Sequence, residues 1–325
     1  MKIILVGTSP AMLLEALLLS QKYSNIEIHE KNNRIGGAWK TTNFFKTPHV
    51  ETGSHIFAPW KNNYIYNQCL KILRKKLNLK TYFLNPQPEN IINNNISKNE
   101  IKKIRYFYIK GGAEKILNEL LKKITEKKIK IIFNSKIDKI TLFKDRKKIF
   151  TSKKIFLADQ VYLPYYCKLN INNKKNNNNY LARRSIHILL EFLGNLKFKK
   201  NISYIQKVGF SKLFDRISNL QNIISGTKKI IFCLRLNKNG KNQLKRNRQN
   251  LIKILKSDLC RYLEPKSKKK NFKIKYKLYN YETSYRENSQ LKLLKKFIKK
   301  NKCELVDTRE FIIYISKNIR RLQIL

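Results

Sequence analysis

The chain has 325 residues, 42% hydrophobic and 11% aromatic, enough to bury a sizeable core and to exclude a disordered or fibrous chain. Its formal net charge is +50, from 71 Lys and Arg against 21 Asp and Glu. The excess is spread along the chain as Lys, together with Asn and Ile. It therefore fits compositional bias and general solvation better than a dedicated nucleic-acid surface, which would concentrate Arg and aromatic residues.

The five cysteines (Cys69, Cys167, Cys233, Cys260, Cys303) form no CxxC pair, and the four histidines (His29, His49, His55, His187) show no metal-ligand spacing. This pattern argues against a disulfide framework or a zinc site and suits a reducing, cytoplasmic setting. No window is apolar enough for a transmembrane helix.

In chain order, "IILV" (3–6) is a short apolar run ended by Gly7, the pattern of a buried parallel strand. Ser9 then reads as an N-cap and Pro10 as the first helical residue, where a missing N–H costs nothing. Ala11 to Leu19 are apolar nearly all round, and "NIEIHE" (25–30) alternates as a second strand. The same opening stretch can be read as a secretory signal. Glu15 interrupts its apolar run and no small-residue cleavage site follows, so the strand–helix–strand reading is preferred. Further on, Tyr66, Cys69, Leu70, Leu73 and Leu77 mark a helical stripe within 61–78, and residues 86–100 read as a loop. "YFYIKGG" (106–112) precedes an amphipathic helix marked by Ile116, Leu117, Leu120, Leu121 and Ile124. Strand-like runs follow at 130–133, 137–143, 147–150 and 155–163. The Asn-rich stretch 170–180 reads as an exposed loop. Two more strands, in "KNISYIQKVGF" and "KKIIFCLRL", belong to a second region, with helical stripes at 249–263 and 289–300. "EFIIYI" (310–315) is the last ordered element before a short helix.

The residues that carry chemistry cluster near the start. Glu30 ends the second strand about 20 residues after Gly7, where a dinucleotide-binding unit offers a carboxylate to a ribose. Lys31 and "RIGGAW" follow: Arg34 is placed to meet phosphate or brace the loop, and Gly36 and Gly37 let backbone approach a ligand. "ETGSHIF" puts Gly53 and His55 where they would border a ring system. No nucleophile–base set appears.

Together these segments resemble the flavin-containing amine oxidase superfamily, which includes protoporphyrinogen oxidase and, more distantly, UDP-galactopyranose mutase. The family pattern of strand, GxGxxG, helix, strand ending in Glu, RxGG and DxGxH reads here as Gly7-Thr-Ser9-Pro-Ala-Met12, Glu30, Arg34-Ile-Gly36-Gly37 and Glu51-Thr-Gly53-Ser-His55. Residues 108–124 are similar to the family's Gly-Gly segment before a helix, and 134–140, centred on Ile137, to the strand whose backbone meets adenine. The resemblance covers 1–60 and 104–165 well. It implies an α/β fold with an FAD/NAD(P)-binding Rossmann-like domain from 1–60, 104–165 and 291–325, and an interleaved substrate domain from 61–103 and 166–290. It implies FAD as cofactor, held by Gly7, Ser9, Glu30, Lys31, Arg34, Gly36, Gly37, Gly53, His55 and Ile137. It further implies a flavin that accepts a hydride from a small-molecule substrate.

The chain departs from the pattern at Ser9 and Met12, where two glycines are expected, and at Asp307-Thr308-Arg309, where the family has a Gly-Asp or Gly-Arg pair. Met12 is the serious departure, because its side chain has either to fit in the core or to fill the pyrophosphate path. Two alternatives follow: a mutase-like enzyme acting on a nucleotide sugar, suggested also by "LARRSIHILLEF" (181–192), and a diverged Rossmann-fold protein with weak or no cofactor binding. Arg216 resembles a substrate-side arginine. Segment 241–275 reads as a solvated helix face. The overall charge implies weak association with an anionic surface, without a specific nucleic acid.

Overall fold

The computed structural model describes residues 1–37, 39, 41–51, 57, 62–84, 89–92, 95–97, 106–165, 181–193, 196–198, 204–208, 213–220, 230–259, 263–265, 273–285, 288–308 and 310–325. Gly53, His55, Arg309 and the 170–180 stretch lie outside them.

The N-terminal unit forms as its pattern dictates. β1 (Lys2–Val6) buries Ile3, Ile4 and Leu5 completely. α1 (Pro10–Leu19) starts with Pro10 after an extended Ser9, and all ten of its residues are buried. β2 (Asn25–His29) pairs parallel to β1. The sheet has five parallel strands in the order Glu304–Val306, Gln160–Pro164, β1, β2, Lys130–Ile132. In chain order this is 5-4-1-2-3, a doubly wound arrangement with its topological switch between β1 and Gln160–Pro164.

Alternate residues of β1 feed different cores. Ile3 and Leu5 pack with α1, α2 (Asn63–Lys71), α3 (Gly112–Glu126) and the C-terminal helices Phe311–Lys317 and Ile319–Leu322. Ile4 packs on the other side, with a three-stranded antiparallel meander (Ile137–Phe143, Arg146–Thr151, Ile155–Ala158) and the Asn288–Lys300 helix.

Glu15, the acid that interrupts the apolar helix, has its explanation in the C-terminal helices. Arg321 Nη2 donates to Glu15 Oε1 at 2.7 Å, Arg321 Nη1 to Oε2 at 3.2 Å, and the buried Tyr314 hydroxyl donates to Oε2 as well. A buried carboxylate is tolerated only with such partners. It closes the tail of the chain onto its first helix.

The second large sheet has seven strands in the order Lys273–Tyr285, Leu181–Leu193, Ile230–Leu236, Phe214–Asn219, Tyr204–Val208, Glu89–Ile92, Asn95–Ser97. One face packs Ile188, Leu190, Phe214, Ile217, Phe232 and Leu234 beneath the helix Arg248–Leu259.

Two readings from sequence need correction, and one strand is added. Residues 86–100 are not all loop: Glu89–Ile92 and Asn95–Ser97 form a hairpin that extends the seven-stranded sheet. Its Asn-rich composition masks the isoleucines that favour a strand. The run 155–163 is two strands, broken at Asp159, whose carboxylate accepts from Lys2 N at 2.5 Å and pairs with Arg146 at 2.8 Å. The strand Glu304–Val306, which precedes the helix Phe311–Lys317, was not read from the sequence.

Candidate nucleotide-binding site

The site is built where β1 and β2 end, at the crevice that a doubly wound sheet opens beyond its carboxyl edge. Gly7 leaves β1 with φ +86°, a conformation that L side chains resist, and its N–H donates to His29 O at 2.8 Å. A Cβ placed on Gly7 would meet nothing within 4 Å, so the space over this turn is open. Ser9 caps α1 by backbone geometry alone: its buried hydroxyl has no hydrogen-bond partner among the described residues. The free N–H groups of the first turn and the helix dipole make this end a natural anion site.

Met12 does not fill that path. It is completely buried in the core formed with Ile3, Leu5 and α3, between helix and sheet. The missing glycine is therefore absorbed as packing, and the space over the Gly7 turn stays open.

Glu30 is buried, and both of its oxygens are engaged. Thr8 donates to Oε2 from its N–H at 3.0 Å and its hydroxyl at 2.6 Å. Asn32 donates to Oε1 from its N–H at 2.9 Å and its side-chain amide at 2.8 Å. Four donors match the roughly four lone-pair sites of a carboxylate. Thr8 is the hub of the arrangement: Gly36 N donates to its carbonyl at 3.0 Å and its hydroxyl at 3.1 Å. The β1–α1 turn, the end of β2 and the RIGG loop are thus one hydrogen-bonded unit. Sequence reasoning missed Thr8 and Asn32. The available signal was a hydroxyl next to Gly7 and an Asn two places past a strand-terminal Glu, an Asx-type arrangement.

Arg34 is exposed and turns back on its own loop, with Nη2 donating to Gly37 O at 3.2 Å. It braces the loop in this structure. Gly36, at φ +97°, is demanded by packing, since a Cβ there would sit 2.6 Å from Leu117 Cδ1 of α3. Gly37, at φ +58°, faces open space. Lys31 is exposed beside Glu30. Ile137 is buried at the start of the meander, its backbone paired with Thr151.

The glycine pair before α3 has a clear physical cause. Gly112 has φ +61°, and Glu51 Oε1 lies 2.1 Å from where its Cβ would stand. Glu51, buried at the end of β4 (Thr47–Glu51), accepts from Ala113 N at 2.6 Å and so caps α3 from a distance. β4 pairs with β3 (Thr41–Phe44) as a hairpin whose Phe44 and Val50 pack on Leu189, Ile231 and Cys233 of the seven-stranded sheet.

That contact identifies the sheet face turned toward the β3–β4 hairpin. His187, Glu191, Ser218 and Cys233 are buried there, and Arg216 lies on the neighbouring strand Phe214–Asn219. Cys233 Sγ is 3.8 Å from His187 Nδ1. Burial pushes the Cys233 thiol up to about 12, so it stays protonated and is no thiolate nucleophile. Among the described residues no group of three or more His, Cys, Asp and Glu is placed to hold a metal, and no helix is long and apolar enough to cross a membrane.

No protein-family model matches the sequence, and no curated protein is similar to it by sequence. Solved structures are similar in fold. The PF1083 protein from Pyrococcus furiosus superposes with TM-score 0.59 at 15% identity, over 99% of this chain and 98% of that one. A putrescine oxidase bound to putrescine gives 0.58 at 10% identity, over 100% and 99%. A protoporphyrinogen oxidase-like protein from Exiguobacterium sp. 255-15 gives 0.56 at 10% identity, over 99% and 98%. The architecture is therefore α/β and Rossmann-like, the fold of these oxidases.

The residues present are compatible with the diphosphate of a dinucleotide: the turn at Gly7 is open, α1 begins directly after it, and the buried Ser9 hydroxyl has no partner among the described residues. At the ribose position they fit only by exchange, because Glu30 is saturated by the protein's own donors.

Proposed function

We propose that the protein is an FAD-dependent oxidoreductase related to the amine oxidase and protoporphyrinogen oxidase group, acting on a small molecule. The observation that carries this reading is the turn at Gly7: Met12 is swallowed by the core, while the space over Gly7, next to the N-terminus of α1, is open. When bound, FAD would supply a two-electron acceptor for a hydride as a C–N or C–C bond is oxidised. The α1 N-terminus and Ser9 would hold the diphosphate. Glu30 would accept from the ribose hydroxyls after releasing the Asn32 amide. The RIGG loop would present backbone to the flavin, with Gly53, His55 and Ile137 completing the contacts. The substrate domain would be 61–103 with 166–290, although α2 within it packs in the parallel-sheet core, and its buried polar sheet face would carry His187 and Glu191 over the substrate. A cytoplasmic location accompanies this reading.

One observation favours a second reading, a diverged fold with weak or no cofactor binding. Glu30 needs no ligand, because four protein donors already satisfy it. The visible spectrum of the purified protein separates the two. Absorbance near about 450 nm, or its recovery on adding FAD, supports the first. A colourless protein that cannot be reconstituted overturns it. Asn32→Ala discriminates further. Under the first reading it removes one of the two donors on Glu30 Oε1 and tightens FAD in a fluorescence titration. Under the second the titration stays flat.

A further inference from the structure

The three-stranded meander has two unlike faces. Ile140, Ile149 and Ala158 turn inward and pack against Ile4 and the Asn288–Lys300 helix. The alternate residues turn outward, because side chains on a strand alternate between faces. Phe143 is 49% exposed and Ile155 57%, and Phe150 and Leu157 join them outside every buried core. Lysines are threaded between these groups. Lys148 Nζ lies 5.7 Å from the centroids of both Phe143 and Phe150, Lys139 Nζ 5.7 Å from Phe150, and Lys144 Nζ 6.0 Å from Phe143. The nearby acids are engaged by cations: Asp138 with Lys136, Asp145 with Lys302, and Asp159 with Arg146.

We propose that this face docks on an anionic lipid bilayer. Charge complementarity supplies the attraction, and the half-exposed Phe143 ring and Ile155, with the partly exposed Phe150, supply apolar groups to enter the headgroup region. The ammonium groups decide between lipid and nucleic acid. They already lie over the phenylalanine rings, so a base could stack only by displacing them. A lipid surface needs no displacement: the ring edges enter while the lysines reach the phosphates. Ile155 and Leu157 have a use at a lipid surface and none in stacking. The net charge of the whole chain is diffuse and single lysines also lie over the exposed Phe45 and Tyr82 rings, but among the described residues the set of three lysines over two rings stands on this sheet face, and it does not depend on the proposed cofactor.

The test is sedimentation of the full chain with phosphatidylcholine vesicles, with and without phosphatidylserine. Binding is expected only with phosphatidylserine. Lys139→Glu with Lys148→Glu should lower partitioning by about 30-fold, and Phe143→Ser with Ile155→Ser by about 10-fold. Lys245→Glu with Arg246→Glu, exposed on the other large region, removes the same charge and should leave binding within about threefold. Thermal unfolding midpoints within a few degrees of the parent show that the variants are folded. Phe143→Trp adds a readout: the emission of the introduced indole should shift to the blue on phosphatidylserine vesicles. The proposal is overturned if the control pair loses as much as the lysine pair, or if the apolar pair binds like the parent. It also fails if the emission of the Phe143→Trp variant does not move, or if a single-stranded oligonucleotide is bound and vesicles are not.

Discussion

In the parallel sheet, the buried ionisable groups stand at strand ends or on a packed helix, and each is held by named partners. Glu30 has Thr8 and Asn32, Glu15 has Tyr314 and Arg321, and His29 has Ser135 Oγ at 2.8 Å from Nδ1. In the antiparallel sheet, His187, Glu191, Ser218 and Cys233 stand within the strands, on the face opposite the apolar helices. The first set closes the fold on itself. The second lines an interior surface between two regions. Polar burial in the parallel sheet is thus structural cement, while in the antiparallel sheet it would, on the proposed reading, line the substrate site.

This contrast can be broken or sharpened by measurement. The largest effect is expected from Met12→Ala, which empties a fully buried position in the parallel-sheet core. It should cost about 3 kcal/mol in urea unfolding and leave FAD titration unchanged. Tighter FAD binding would instead mean that Met12 crowds the cradle. Gly112→Ala comes next. The backbone there has φ +61° and the Glu51 carboxylate fills the Cβ position, so a loss of about 2 kcal/mol is expected, read from the same denaturation curve. An unchanged curve would show that the cap on α3 has room to shift.

The pH dependence follows with smaller slopes. Burial lowers the His29 pKa below its ordinary 6.5, against the opposing pull of Glu27. The unfolded chain therefore binds a proton that the folded one resists, and stability should fall as pH drops below about 6.5. At the alkaline end, burial and Glu15 push Tyr314 well above its usual value, and Tyr162 up to about 12. Both stay neutral when folded, so their contribution is whole below about pH 10 and is lost as pH rises from there toward 12. Unfolding curves across pH read both limbs, and His29→Gln should flatten only the acid one. The smallest effect is expected from Ser218→Ala. The buried Ser218 hydroxyl has no partner among the described residues, so removing it should be neutral or stabilising by up to about 1 kcal/mol. A clear loss would place Ser218 with the cementing groups and erase the contrast.

Much of the parallel-sheet half was legible. The apolar run 3–6, Pro10, the apolar helix and the alternating second strand are local patterns, and local patterns survive into structure because they report which faces are buried. Glu30 and the RIGG loop were placed correctly at the carboxyl edge for the same reason. The hairpin Glu89–Ile92 with Asn95–Ser97 was not legible, because its pairing partner, Tyr204–Val208, lies far away in sequence.

By itself the sequence determined the order of strand, turn, helix and strand, the position of its carboxylate and the two glycines of its loop. These depend on periodicity and backbone freedom within a few residues. Only the tertiary structure decided where Met12 points, that Thr8 and Asn32 occupy Glu30, and that Glu15 finds Arg321 306 positions away. Those outcomes depend on which distant surfaces meet, and a buried polar group takes whichever donor the packing brings within reach.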